Sequence, residues 1–357
     1  MATVARADQQ PGRRRATPAP KRGVPLPSLP KIALPPRQQR TRVWFLVTGL
    51  GLLLCVLGWT GLDVPGWMPP SGAVLISTTF AMALAARTGG WPNTSGLVAL
   101  VIAVTAVATE EPILLSGAAV GTAVLAAILG VMVTMPAARF GQVAREVTIA
   151  AGIAAVGAFA VEAYQAPVSV DRASYLALAA ALLGAVGLVY RLGAGIHGLG
   201  RRGGFAVVSG IGLLFVGLAY SEALSRWGTG ELTNSVGDAI TNIHDAIGAV
   251  PRPTEFLLGF PALAWGISTR ARRRQGWWVC AFGAAGLSVV STSLLNPAVP
   301  LVEAGLVLLY SLVLGLGLGY AAIRADAYLT GTRGRRARRL EEEAAHRPEP
   351  ARTEALL

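Results

Sequence analysis

Long apolar runs recur along this chain, separated by short polar stretches, and this alternation limits what it can fold into. The runs fall at roughly 43–62, 72–86, 94–109, 113–135, 146–164, 174–192, 205–224, 254–269, 276–294 and 299–322. A helix needs about 20 residues to cross the hydrocarbon of a bilayer, and most of the runs approach that length. The expectation is an all-α, polytopic helical membrane protein with about ten transmembrane helices, within a range of about eight to eleven. The second, third and eighth runs are short, and the third could join its neighbours as a re-entrant pair. Composition agrees: 53% of residues are apolar and 14% charged, with a mean hydropathy of +0.54, far from the balance of a soluble domain.

Orientation follows from the basic residues. Threading the runs alternately from the inside leaves all but three of the 31 Lys and Arg residues on one side. Only Arg172, Arg226 and Arg252 fall outside. Arginine and lysine in short loops resist translocation, so both termini are expected in the cytoplasm. The formal charge of +12 then reports insertion and anionic lipid headgroups, not nucleic acid, for which no binding module is visible. Lysine is confined to Lys21 and Lys31 among abundant Arg, Ala and Gly. That bias suits a GC-rich bacterial genome, and so a plasma (inner) membrane location.

Three regions result. Residues 1–42 are basic and Pro-rich, a composition expected to be disordered or locally polyproline II. Residues 43–323 form the transmembrane bundle. Residues 324–357 form a charged cytoplasmic tail, in which Arg338–Glu342 and Arg339–Glu343 have the spacing of pairs on a solvated helix. Either tail could hold protein partners. Closely spaced glycines (Gly117 and Gly121, Gly283 and Gly286, Gly315 and Gly319) suit close helix packing within the bundle, with a homodimer as the sharper alternative. Cys55 and Cys280 both lie in runs and are expected to act as small hydrophobes.

Carboxylates mirror the arginines. Asp63, Glu110, Glu111, Glu162, Asp171, Glu222, Glu231, Asp238, Asp245 and Glu255 map to the outer surface or outer helix ends, with Glu303 about a turn inside the last run. A face of one sign concentrates the opposite ion. Glu111, Asp171, Glu255 and Glu303 sit near helix N-termini, where the dipole favours a carboxylate. Glu162 and Glu222 sit at C-terminal ends, where it does not, and so need a tertiary partner or a function. Arg226 and Arg252 are the expected ion-pair partners of Glu303. Between runs, Val236, Ile240, Ile243, Ile247 and Val250 form one apolar stripe, predicting an extracytoplasmic amphipathic helix over about 235–250. Its polar face carries Asp238 and Asp245, with His244 beside them.

Several motifs fail their context. Gly193-Ala-Gly195-Ile-His-Gly198 matches a dinucleotide fingerprint but follows a membrane helix, not a strand. Asn93-Thr94-Ser95 is a glycosylation sequon on the inner side. His197, His244 and His346 are too dispersed to build a zinc site. No cofactor or metal is expected, and the chain leans away from an enzyme. The first functional expectation is a secondary transporter or permease for a small cationic or proton-coupled solute, with Glu162, Glu222, Glu303, Asp238 and Asp245 as substrate or proton ligands. A non-catalytic envelope or division scaffold comes second. A membrane enzyme acting on a lipid-linked substrate at the outer face comes third.

Overall fold

The computed structural model describes residues 37–60, 62–192, 208, 210–212, 238, 241–242, 244–272, 276–296, 299–330 and 349–356. All regular structure among these residues is helical: α1 (Arg37–Leu57), α2 (Met68–Arg87), α3 (Pro92–Thr109), α4 (Pro112–Val133), α5 (Phe140–Ala163), α6 (Val170–Arg191), a π-helical segment (Thr254–Gly259) running into α7 (Phe260–Arg270), α8 (Gly276–Ser291) and α9 (Leu301–Thr330). Residues Thr41–Leu357 form one compact unit, to which everything below refers; of the other, Met1–Arg40, only the first turn of α1 is described. Seven of the helices, α1 to α6 and α9, are long and apolar enough to cross a membrane, and α8 is a shorter apolar helix.

Proline explains why α2 and α3 are longer than their apolar runs. Pro69 and Pro70 lie in the first turn of α2, and Pro92 opens α3. In a first turn the missing N–H would have had no partner anyway, so proline there begins a helix where elsewhere it would break one. The third run is therefore a separate helix of 18 residues. It turns into α4 through Glu110, left-handed at φ 52°, and Glu111, with Pro112 opening the next helix. The seventh run and most of the predicted 235–250 helix lie outside the described residues. Asp238, Thr241, Asn242 and His244–Ile247 are helical. That helix ends at Gly248, whose φ of +75° suits a glycine C-cap, and its N–H donates to the His244 carbonyl.

The core is built from small residues. One apolar cluster joins α4 to α8 around Met132, Val147, Val189, Ile267 and Trp277. A second joins α1 to α6 around Ile76, Phe80, Leu129 and Val161, with Cys55 buried in it. Two glycine contacts set helix spacing. A Cβ on Gly72 would lie 2.5 Å from the Gly51 carbonyl oxygen, and one on Gly286 would lie 2.6 Å from the Gly259 Cα. Such approach supplies the van der Waals packing that must replace a hydrophobic drive inside lipid. Gly315 and Gly319 likewise receive Phe260 and Ala264 of α7. Gly117 and Gly121 differ, with nothing within 4 Å of either. They line an open, largely apolar cavity of about 580 Å³ between α2, α3 and α4.

Candidate functional site

The two ends of the bundle have opposite chemistry. At the end where α5 stops and α9 begins, Glu162 lies in the last turn of α5, and its Oε2 accepts a hydrogen bond from Trp59 Nε1 at 3.1 Å. The indole is the tertiary partner that a carboxylate at a helix C-terminus requires. Glu303, in the first turn of α9, lies 3.6 Å from His244 Nε2. Asp245 lies 3.8 Å from the other ring nitrogen of His244 and is exposed, as is Asp238.

Arg252 pairs at 3.5 Å with buried Glu255, not with Glu303. A separation of three residues at the start of the π segment places the two side chains on one face. The backbone N–H of Arg252 donates to Ser311 Oγ at 3.0 Å. Glu222, Arg226 and the Gly193–Gly198 motif lie outside the described residues. Thus Glu303 meets His244, and Glu162 is held separately. None of these carboxylates lines the 580 Å³ cavity, whose polar lining includes Ser77, Thr122 and Tyr164. Among the described residues, no group of three or more His, Cys, Asp or Glu could hold a metal ion.

The other end carries the costlier chemistry. Arg87 closes α2 and Arg270 closes α7. They are the largest fully buried side chains of the described chain, 2% and 0% exposed. Arg87 Nε donates to the Met132 carbonyl at 2.9 Å. Its Nη1 donates to the carbonyls of Ala351 and Glu354 at 2.7 Å each and of Pro350 at 3.3 Å.

Arg270 grips the α4–α5 connection through Thr134, with Nη1 2.8 Å from Oγ1 and Nη2 3.0 Å from the carbonyl oxygen. Its Nη2 also meets the Glu349 carboxylate at 2.5 Å. The guanidinium lies over the Trp277 ring, 3.4 Å from its centroid, where the negative face of the indole favours a cation.

Buried Glu146 completes the cluster from the second turn of α5. Its Oε2 accepts the Met135 N–H at 2.9 Å, its Oε1 accepts Arg145 Nη2 at 2.9 Å, and Arg352 Nη2 lies 2.9 Å from both oxygens.

The end of the tail therefore belongs to the bundle. Residues 349–356 are seated among the ends of α2, α4, α5 and α7. The Leu356 N–H donates to the Arg87 carbonyl at 2.8 Å, and Leu356 packs against the first apolar cluster. The sequence expectation of a solvated tail does not describe this part of it. An uncompensated buried charge is strongly unfavourable, and the tail supplies acceptors to both arginines and a cation to Glu146.

Little in the sequence marks this site. Arg87 and Arg270 resemble any basic residue at the end of an apolar run. Glu146 has one signal, a carboxylate at the mouth of an apolar run. The tail has another, the apolar Ala355-Leu356-Leu357 after a polar stretch. Comparison with protein-family models, curated proteins and solved structures finds no match for this chain.

Proposed function

We propose that this chain is an integral plasma-membrane protein that organises protein partners at its cytoplasmic face. In this reading the arginine end is the receptor surface, and residues 349–356 are its resident ligand. The single observation that carries it is the completion of a buried Arg87–Arg270–Glu146 cluster by a peptide segment far away in sequence. A cluster built to hold a peptide is a binding site for protein. The arginine bias of the sequence supports a cytoplasmic position for that end, where such partners are met.

The geometry favours this reading over the carrier and enzyme alternatives. A carrier working through Glu162, Glu222 and Glu303 needs them on one pathway, and the two described members are engaged by different partners, Trp59 and His244. An enzyme using Asp238 and Asp245 needs them in a sheltered site, and both are exposed. The test is capture of crosslinked partners from cells, comparing the wild-type chain with a full-length variant carrying Glu349→Lys and Arg352→Glu. Releasing the tail should change a defined set of co-purifying proteins. An identical set from both chains, with unaltered cell envelope and division, would overturn the reading.

A further inference from the structure

Resting on that reading of the arginine end, we propose that its pocket recognises a peptide with an acid at the first position, a base at the fourth and leucine at the eighth. The chain's own Glu349, Arg352 and Leu356 are the autoinhibitory copy of that pattern. A partner segment bearing it would exchange with the tail.

The contacts divide into those that read side chains and those that read backbone. Arg87 takes three carbonyl oxygens, of Pro350, Ala351 and Glu354, and returns its own carbonyl to the Leu356 N–H. These bonds demand a turn but no particular side chains. Two hydrogen bonds within the tail close that turn. The Glu354 N–H donates to the Ala351 carbonyl at 2.7 Å, and the Ala351 N–H donates to Glu354 Oε2 at 3.2 Å. A peptide already folded as it binds loses less conformational freedom on docking.

Specificity comes from three positions. Arg270, wholly buried and stacked on Trp277, requires an anion where Glu349 sits. Wholly buried Glu146 requires a cation where Arg352 sits. The apolar cluster under Leu356 requires an aliphatic side chain. Charge reversal at either ionic position would bring like charges together in a desolvated pocket, which excludes wrong partners more strongly than a surface pair would.

One feature of the pocket favours exchange, and the covalent attachment of the segment opposes it. Arg270 Nε and Arg352 Nη1 are buried with no hydrogen-bond partner among the described residues, and an unmet buried donor is costly. Arg352 Nη1 leaves with the tail, so a ligand gains over the tail by satisfying Arg270 Nε or by bringing no unmet donor of its own. The segment is joined to α9 by the same chain, so its high local concentration opposes a free peptide.

The test uses full-length protein in lipid nanodiscs and a fluorescent peptide of residues 349–357, followed by anisotropy. Against the wild-type chain the peptide must compete with the tethered tail. Against the full-length Glu349→Lys/Arg352→Glu variant it should bind at least about 10-fold more tightly, because the local competitor is gone. A peptide carrying the same two reversals should bind neither protein. Helical content and elution volume of the variant establish that the bundle is folded.

As a second measurement that needs no variant, excess native peptide should speed hydrogen exchange at the Leu356 amide of the wild-type chain, which the Arg87 carbonyl holds in the docked tail, and the reversed peptide should not. Equal binding of the native and reversed peptides, or no gain on tail release, would overturn the inference. If the peptide binds as expected while cells yield no tail-dependent partner, the organising function fails and the recognition pattern stands. If partners depend on the tail but the peptide does not bind, the reverse holds.

Discussion

Arg87 and Arg270 each end a helix, where the carbonyl end of the dipole favours a cation. That local preference is worth well under the cost of burying a guanidinium, so tertiary partners decide whether either arginine is tolerated. The same holds for Glu146, which lies past the first turn of α5, where the helix dipole no longer helps. Replacing it by glutamine keeps the volume and removes the charge that holds Arg352. The expected loss is roughly 1–3 kcal/mol, the range for leaving buried polar groups badly matched. The lower half applies, because Arg145 and Arg352 are 66% and 29% exposed and partly screened by solvent. A thermal-unfolding series in detergent should show Glu146→Gln melting below wild type and Arg145→Gln melting with it. A Glu146→Gln protein as stable as wild type would mean that the carboxylate contributes nothing to this end of the bundle.

Helix pairing depends on which glycines face a neighbour. All three glycine pairs look alike in sequence, and structure separates them. Gly286 meets the Gly259 backbone, Gly315 and Gly319 receive α7, and Gly117 and Gly121 face open space. Gly286→Leu should therefore lower the yield of folded protein sharply, since backbone offers no room to yield. Gly117→Leu should be tolerated and should partly fill the cavity it lines. Size-exclusion profiles of the two variants make the comparison, and equal behaviour would remove the packing argument. The helix starts were legible from proline once its place in the first turn is recognised. The π-helical segment before Pro261 was not, because apolar periodicity does not distinguish a widened turn from an ordinary one.

Across the whole molecule, alternation of helix direction brings the buried arginines to one end and Glu162 and Glu303 to the other. If the arginine end is cytoplasmic, a membrane-impermeant maleimide should label an Asp63→Cys variant in intact cells and a Gln142→Cys variant only after permeabilisation. Both positions are exposed, and native Cys55 and Cys280 are buried, which keeps the background low. Labelling in the opposite order would invert the topology and move the peptide pocket outside.

By itself the sequence determined that the chain is helical and that several segments suit a membrane, because apolar length is a local property of consecutive residues. It also led to the expectation of a separation of charge between loops, which rests on linear order alone. Only the tertiary structure decided which charges are buried and which partners they have. Arg87 and Ala351 are 264 positions apart, and no periodicity or spacing encodes contact over that distance. Of the carboxylates singled out in sequence, Glu162 meets Trp59, and Glu303 and Asp245 lie against the two ring nitrogens of His244. The costliest charges were hidden among the arginines that seemed only to set orientation, since burial follows from packing and not from residue type.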